Sequence, residues 1–204
     1  MRWETSPHKP KLPWKNGNSR THKRGIYQMS LPDKCLVDTN VPKTANLALE
    51  SASIPPELET CISACIEAIE HVTTKRGLVI DAGDEIFNEY RQQLSMRGQP
   101  GVGDIFMKWV HDNRWSLPDS DRVTISKDGD SYKQFPEHEG LVNFDISDRK
   151  FVAVANAHPE KPPILQATDC KWWGWKNALK DVGITVHFLC SEYVKTKYEE
   201  KFGS

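Results

Sequence analysis

Three short apolar runs in this chain each stop on an acid, and that repetition narrows the available folds more than any other feature. They are Leu36-Val-Asp38, Leu78-Val-Ile-Asp81 and Pro163-Ile-Leu-Gln-Ala-Thr-Asp169. Brief β-rich runs of this kind read as strands of a parallel sheet buried on both faces. The segments between them have helical spacing. Leu58, Ile62, Cys65, Ile66 and Ile69 mark a helix from Glu57 to about Val72, and Ile86, Phe87, Tyr90 and Leu94 mark one from Asp84 to about Met96. Alternating strands and helices predict an α/β fold. In such sheets ligands bind beyond the carboxyl ends of the strands, so the terminal acids are expected at one edge.

The stretch from Asn143 to Asp169 brings further acids to the same place. Asp145-Ile-Ser-Asp148 precedes an amphipathic helix from Arg149 to Ala157, with Ser147 read as its N-cap and Asp148 in its first turn. Glu85 and Glu89 lie one helical turn apart, so both can look towards the strand ends. Elsewhere, Thr39-Asn40 turns the chain into a helix that ends before Ile54, and Asp104 to Asn113 reads as another. Ser116 to Gly140 reads as an exposed connection with one short strand at Arg122 to Ile125. A helix from Lys171 to Val182 capped by Gly183, a strand from Ile184 to Leu189 and a helix from Glu192 to Phe202 close the chain. The glycine-rich loop Arg97 to Gly103 follows a helix instead of a strand, which argues against a nucleotide-binding turn.

A length of 204 residues suits one such domain. Charge is unevenly placed: residues 1–34 hold 8 Lys and Arg against 2 acids, and the remainder, out of totals of 27 and 28, holds 19 basic and 26 acidic residues. The expected organisation is therefore a basic, largely irregular arm (1–34) joined to an acidic domain (35–204). Trp3, Trp14 and Tyr27 in the arm either wrap the domain or stack on the bases of a polyanion. No apolar run reaches membrane-span length and no signal-type apolar core follows Met1, so the expectation is a cytoplasmic protein without a membrane. The five cysteines are scattered with no CxxC pair, and Cys61 and Cys65 read as buried free thiols; neither zinc nor disulfides are expected.

Carboxylates gathered at one sheet edge repel one another unless a cation joins them. Hard oxygen ligands select Mg2+ or Mn2+, and the natural reaction of such a centre is in-line phosphodiester hydrolysis. The chain has no nucleophile elbow and no Walker loop. Singly, each acid also has an ordinary structural role: Asp38 as a helix cap, Asp148 in a favourable first turn, Glu89 as half of a surface ion pair.

Taken in order, Cys35-Leu-Val-Asp-Thr-Asn40, Leu78 to Tyr90, Ser147 to Ala155 and Ile164-Leu-Gln-Ala-Thr-Asp169 resemble the four motifs of PIN-domain nucleases. The resemblance implies a three-layer α/β/α sandwich with a mainly parallel central sheet and metal-dependent cleavage of RNA, or less often DNA. It also implies service in toxin, RNA-processing or defence systems, with room for an inhibitory or activating protein partner and for an oligomer. By position it assigns Asp38, Glu89, Asp148 and Asp169 as catalytic metal ligands, with Thr39, Asn40 and Thr168 behind them and Glu85 and Asp145 as additional acids. Arg149, Lys150, Lys171 and Trp172 are the expected nucleic-acid contacts; Trp172, Trp173 and Trp175 cannot all face inward, which leaves either an indole near the site to stack on a base or a bulky hydrophobic rim that packs on the arm or on a partner. The alternative expectation is a PIN-like module without activity that binds nucleic acid or a protein.

Overall fold

In the computed structural model the described residues are 30–49, 54–95 and 97–203. The expected arm lies almost wholly outside them, with Trp3, Trp14 and Tyr27. From Leu31 onward the chain forms one unit: Leu31 packs against the core, and the Lys34 ammonium donates to buried Asp121 at 2.9 Å.

Strand β1 (Leu36–Val37) lies between two parallel neighbours. On one side β6 (Ile164–Gln166) pairs with it in the register Leu36 to Ile164, and β7 (Val186–Phe188) continues outward from β6. On the other side a parallel bridge from Cys35 to Leu78 leads into β2 (Ile80–Asp81), which pairs with β3 (Arg122–Val123). The order is thus β3-β2-β1-β6-β7 with every pairing parallel. Val37, Ile80 and Leu165 are all at most 1% exposed, which is why these strands lack the polar alternation of half-buried ones. The fold is mixed helix and strand around a small, mainly parallel sheet.

Helices α1 (Asn40–Asn46) and α2 (Pro56–Lys75) follow β1, and α3 (Glu85–Gln93) follows β2. Helix α4 is Val102–Asn113, α5 Arg149–Ala157, α6 Lys171–Asp181 and α7 Ser191–Phe202. Helix α5 has the expected bounds, and its six residues from Lys150 to Ala155 are all buried. The Tyr90 hydroxyl of α3 donates to the Val37 carbonyl, fastening α3 to the end of β1.

Several expectations are corrected. Ser147 is not the cap of α5: a 3-10 turn, Ile146–Asp148, precedes the helix, and the Asp145 carboxylate accepts the Ser147 N–H at 3.1 Å. The strands are shorter than the apolar runs, because pairing stops where the chain turns. The connection from Ser116 to Gly140 holds an antiparallel hairpin, β4 (Lys127–Asp128) with β5 (Ser131–Tyr132), turned by Gly129 at φ +55°. Cys61 and Cys190 form a disulfide with Cα atoms 5.2 Å apart, so the expectation of none fails. Their separation of 129 residues explains why local spacing gave no sign of it. Cys35, Cys65 and Cys170 are free and buried, and burial pushes the Cys35 and Cys65 thiols up to about 12.

The loop at Arg97 to Gly103 serves helix packing. Asn46, at the end of α1, accepts the Gly103 and Asp104 N–H groups at 2.8 and 3.2 Å and so caps α4 from outside. A Cβ on Gly103 would lie 2.0 Å from the Pro42 carbonyl oxygen. Helix propensity alone makes Gly103→Ala stabilising by up to about 1 kcal/mol. The clash with backbone predicts the opposite, a loss of roughly 1 to 3 kcal/mol in urea unfolding; a neutral or stabilising result would show that α1 and α4 are not in this close contact.

Candidate metal centre

The parallel register sets Asp38, immediately after β1, beside the end of β6; the Asp38 N–H donates to the Leu165 carbonyl at 3.0 Å. The Asp38 side chain is 1% exposed. Its Oδ1 accepts the Asn40 backbone N–H at 2.8 Å and the Asn40 side-chain amide at 3.0 Å. Among the described residues no hydrogen bond reaches its Oδ2. Burial, then the charge of Asp148 and, more weakly, of Glu89, hold the Asp38 carboxyl well above its usual range, against the opposing Asn40 donors.

Glu89, on α3, accepts the Thr39 hydroxyl at Oε1 and the Lys150 ammonium at Oε2. The same ammonium donates to the Ser147 carbonyl. Asp148 closes the 3-10 turn and is 9% exposed; its Oδ2 accepts the Trp172 indole N–H at 3.0 Å. Burial first, then the charges of Asp145, Asp169 and Glu89, raise its carboxyl to about 6, while the Trp172 N–H works against them. Asp169 lies past the end of β6 and accepts the Lys171 backbone N–H at 2.9 Å, which fixes the entry to α6.

Charge links the four acids in pairs: Asp148 and Glu89 act on Asp38, and Glu89 and Asp169 act on Asp148. The supporting residues divide. Thr39 and Asn40 touch Glu89 and Asp38 respectively, whereas the Thr168 hydroxyl lies 3.3 Å from that of Thr44 and bonds to none of the four acids. Asp145 sits at the rim, where the Lys171 ammonium at 3.0 Å, followed by Ser147 N–H and O–H groups, draws its carboxyl below the usual range.

Other sequence assignments are corrected. Asp81, one of the strand-end acids, is a helix cap: its carboxylate accepts N–H groups of Gly83, Glu85 and Ile86 at 2.8 to 3.0 Å, which satisfies the first turn of α3. Glu85 turns to the hairpin, accepting the Tyr132 hydroxyl and the Lys127 ammonium, each at 3.0 Å. Arg149 bonds the Val142 and Phe144 carbonyls and lies over the Phe135 ring, so its guanidinium ties down the preceding loop instead of meeting phosphate. Lys150 is an internal counter-ion of Glu89. Trp172 is fully buried and cannot stack on a base.

The donor set suits a hard divalent cation: carboxylate oxygens, one with no internal donor, in a setting whose negative charge is only partly offset by Lys150. Among the described residues, however, no three acidic, His or Cys side chains close around a common point. No helix of these residues is long and apolar enough to cross a membrane. No family model, curated protein or solved structure matches the chain.

The raised carboxyls give a signed dependence on pH. Asp148 keeps its proton in the folded protein above the pH at which the unfolded chain releases it, so its contribution to stability falls as pH rises from about 4 through about 6. Asp148→Asn, which can still accept the Trp172 N–H, is expected to raise Tm by roughly 4 to 10 °C at neutral pH without added metal. The gain should vanish near pH 4; an equal gain at both pH values would remove the electrostatic explanation.

Proposed function

We propose that the chain is a metal-dependent nuclease of PIN-like architecture, a three-layer α/β/α sandwich that hydrolyses phosphodiester bonds in RNA, with DNA the second choice. The observation that carries the reading is Asp38, buried just past the end of β1 with the charges of Asp148 and Glu89 acting on it, while Asp169 acts in turn on Asp148. Its supports are the four ordered motifs, the parallel order β3-β2-β1-β6-β7 and the oxygen-only donor set. Service as a toxin or defence effector with a protein partner belongs to the same proposal.

Asp38, Glu89, Asp148 and Asp169 would hold Mg2+ or Mn2+, which when bound supplies charge neutralisation at the scissile phosphate and an activated water. Thr39 orients Glu89, Asn40 fixes Asp38 and the Trp172 indole N–H fixes Asp148, so three of the acids have directional support. Lys150 holds the charge of Glu89 in the metal-free state and would yield that oxygen to the ion. Such a role predicts that Asp38→Asn lowers cleavage of labelled single-stranded RNA by more than roughly 100-fold, beyond the loss that removing an outer partner brings, with Tm kept or raised. Full activity of the variant with Mg2+ and Mn2+ would sink the assignment.

A second reading is favoured by two features: Lys150 already pairs with Glu89, and among the described residues no three acids close on one point. That pair suits an inactive PIN-like module that binds nucleic acid or a protein. Strand binding with no cleavage under either metal would select it.

A further inference from the structure

Next to the acids lies a cavity of 390 Å³ walled by Trp175, Tyr198 and Phe202 and by the polar side chains of Asn143, Asp145 and Lys171. Its volume falls at the lower end of small-ligand sites. The aromatic walls are held from behind. Trp175 tilts against Phe144 with centroids 4.6 Å apart, and Tyr198 packs on Phe202 at 5.1 Å. Gly174 brings Tyr198 close to α6: a Cβ there would lie 2.7 Å from the Tyr198 hydroxyl oxygen. The cavity also shares parts with the metal centre. Lys171 pairs with Asp145 through its ammonium at 3.0 Å and donates to Asp169 through its backbone N–H at 2.9 Å.

We propose that this cavity receives one unpaired base of a single-stranded nucleic acid, with the neighbouring phosphodiester directed to the acids; the assignment of that phosphodiester rests on the nuclease reading above. The Trp175 and Tyr198 rings offer π-faces to a base, a sequence-tolerant attraction. The Asn143 amide both donates and accepts, Asp145 accepts and Lys171 donates, which matches the mixed polar edge of a base. A base paired within a duplex has its faces stacked and its edge engaged, and cannot enter. On this proposal the tryptophan near the site is Trp175, one helical turn beyond the buried Trp172 and packed with it on Phe144.

The test uses the full chain in EDTA, so that binding is read without cleavage. A fluorescently labelled single-stranded RNA oligonucleotide is compared with strands in which one abasic residue is moved along the sequence. Trp175→Ala is expected to weaken binding of the intact strand about 5- to 100-fold. One abasic position should produce a similar loss in the wild type and no further loss in the variant, and Trp175→Phe should recover most of the affinity. Should Trp175→Ala unfold, Tyr198→Ala is read in the same way. Unchanged affinity in a folded variant, or duplex RNA bound with the same dependence on Trp175, overturns the cavity assignment. The two readings fail separately: the abasic pattern without any cleavage in Mg2+ or Mn2+ removes the nuclease and keeps the base site. Cleavage with an unaltered KM in Trp175→Ala does the reverse.

Discussion

Repulsion among carboxylates that the fold buries together is the constraint on which the site depends. Parallel pairing of β1 with β6 places Asp38 and Asp169 at one edge, and α3 and the turn before α5 bring Glu89 and Asp148 to it. Burial raises the cost of the Asp38 and Asp148 charges, and the charges beside them raise it further. The chain offsets part of this with the Lys150 ammonium on Glu89 and with the Asn40 and Trp172 donors. On the proposed reading these devices hold the site ready for a positive charge, which would remove the cost of burying the acids.

Fold class was legible because its signal was local and repeated. β1, β2 and β6 belong to brief apolar runs that each end on an acid, and α5 could be bounded closely because its apolar run is bracketed by the acidic turn before Arg149 and by Pro159. The shorter observed strands reflect where neighbours stop offering backbone partners, which periodicity does not encode. The β4–β5 hairpin was missed since its strands are two residues long and its apolar content is a single buried Tyr132. The Cys61–Cys190 link joins α2 to the entry of α7, a proximity created only by tertiary packing.

At the site, residue type was easier to read than residue role. Asp81 and Asp38 look alike in sequence, each an acid after an apolar run. Two N–H groups of α3 and one from Gly83 in the turn before it claim both oxygens of Asp81, while two from Asn40 claim only one oxygen of Asp38. Helical spacing put Glu85 and Glu89 on one face and did not separate them; only the resemblance preferred Glu89, and the contacts of Glu85 with the hairpin emerge from tertiary packing. The cations were harder: Arg149, Lys150 and Lys171 are near neighbours of acids in sequence, yet one ties down a loop, one is buried on Glu89 and one bridges the rim to α6. Three tryptophans within four positions could be divided into core and cavity only once the direction of α6 was known.

The central claim is that this acidic edge binds divalent metal, and calorimetric titration of Mn2+ into the metal-free chain at about pH 6, where the Asp148 carboxyl is part protonated, tests it most directly. Run in two buffers of different ionisation enthalpy, the titration reports both affinity and protons released. The account predicts saturable binding with net proton release, since an ion must displace the protons that the raised Asp148 carboxyl holds at that pH, and weaker binding with less release in Asp169→Asn. No binding at millimolar Mn2+, or binding without proton release and indifferent to Asp169, would contradict it.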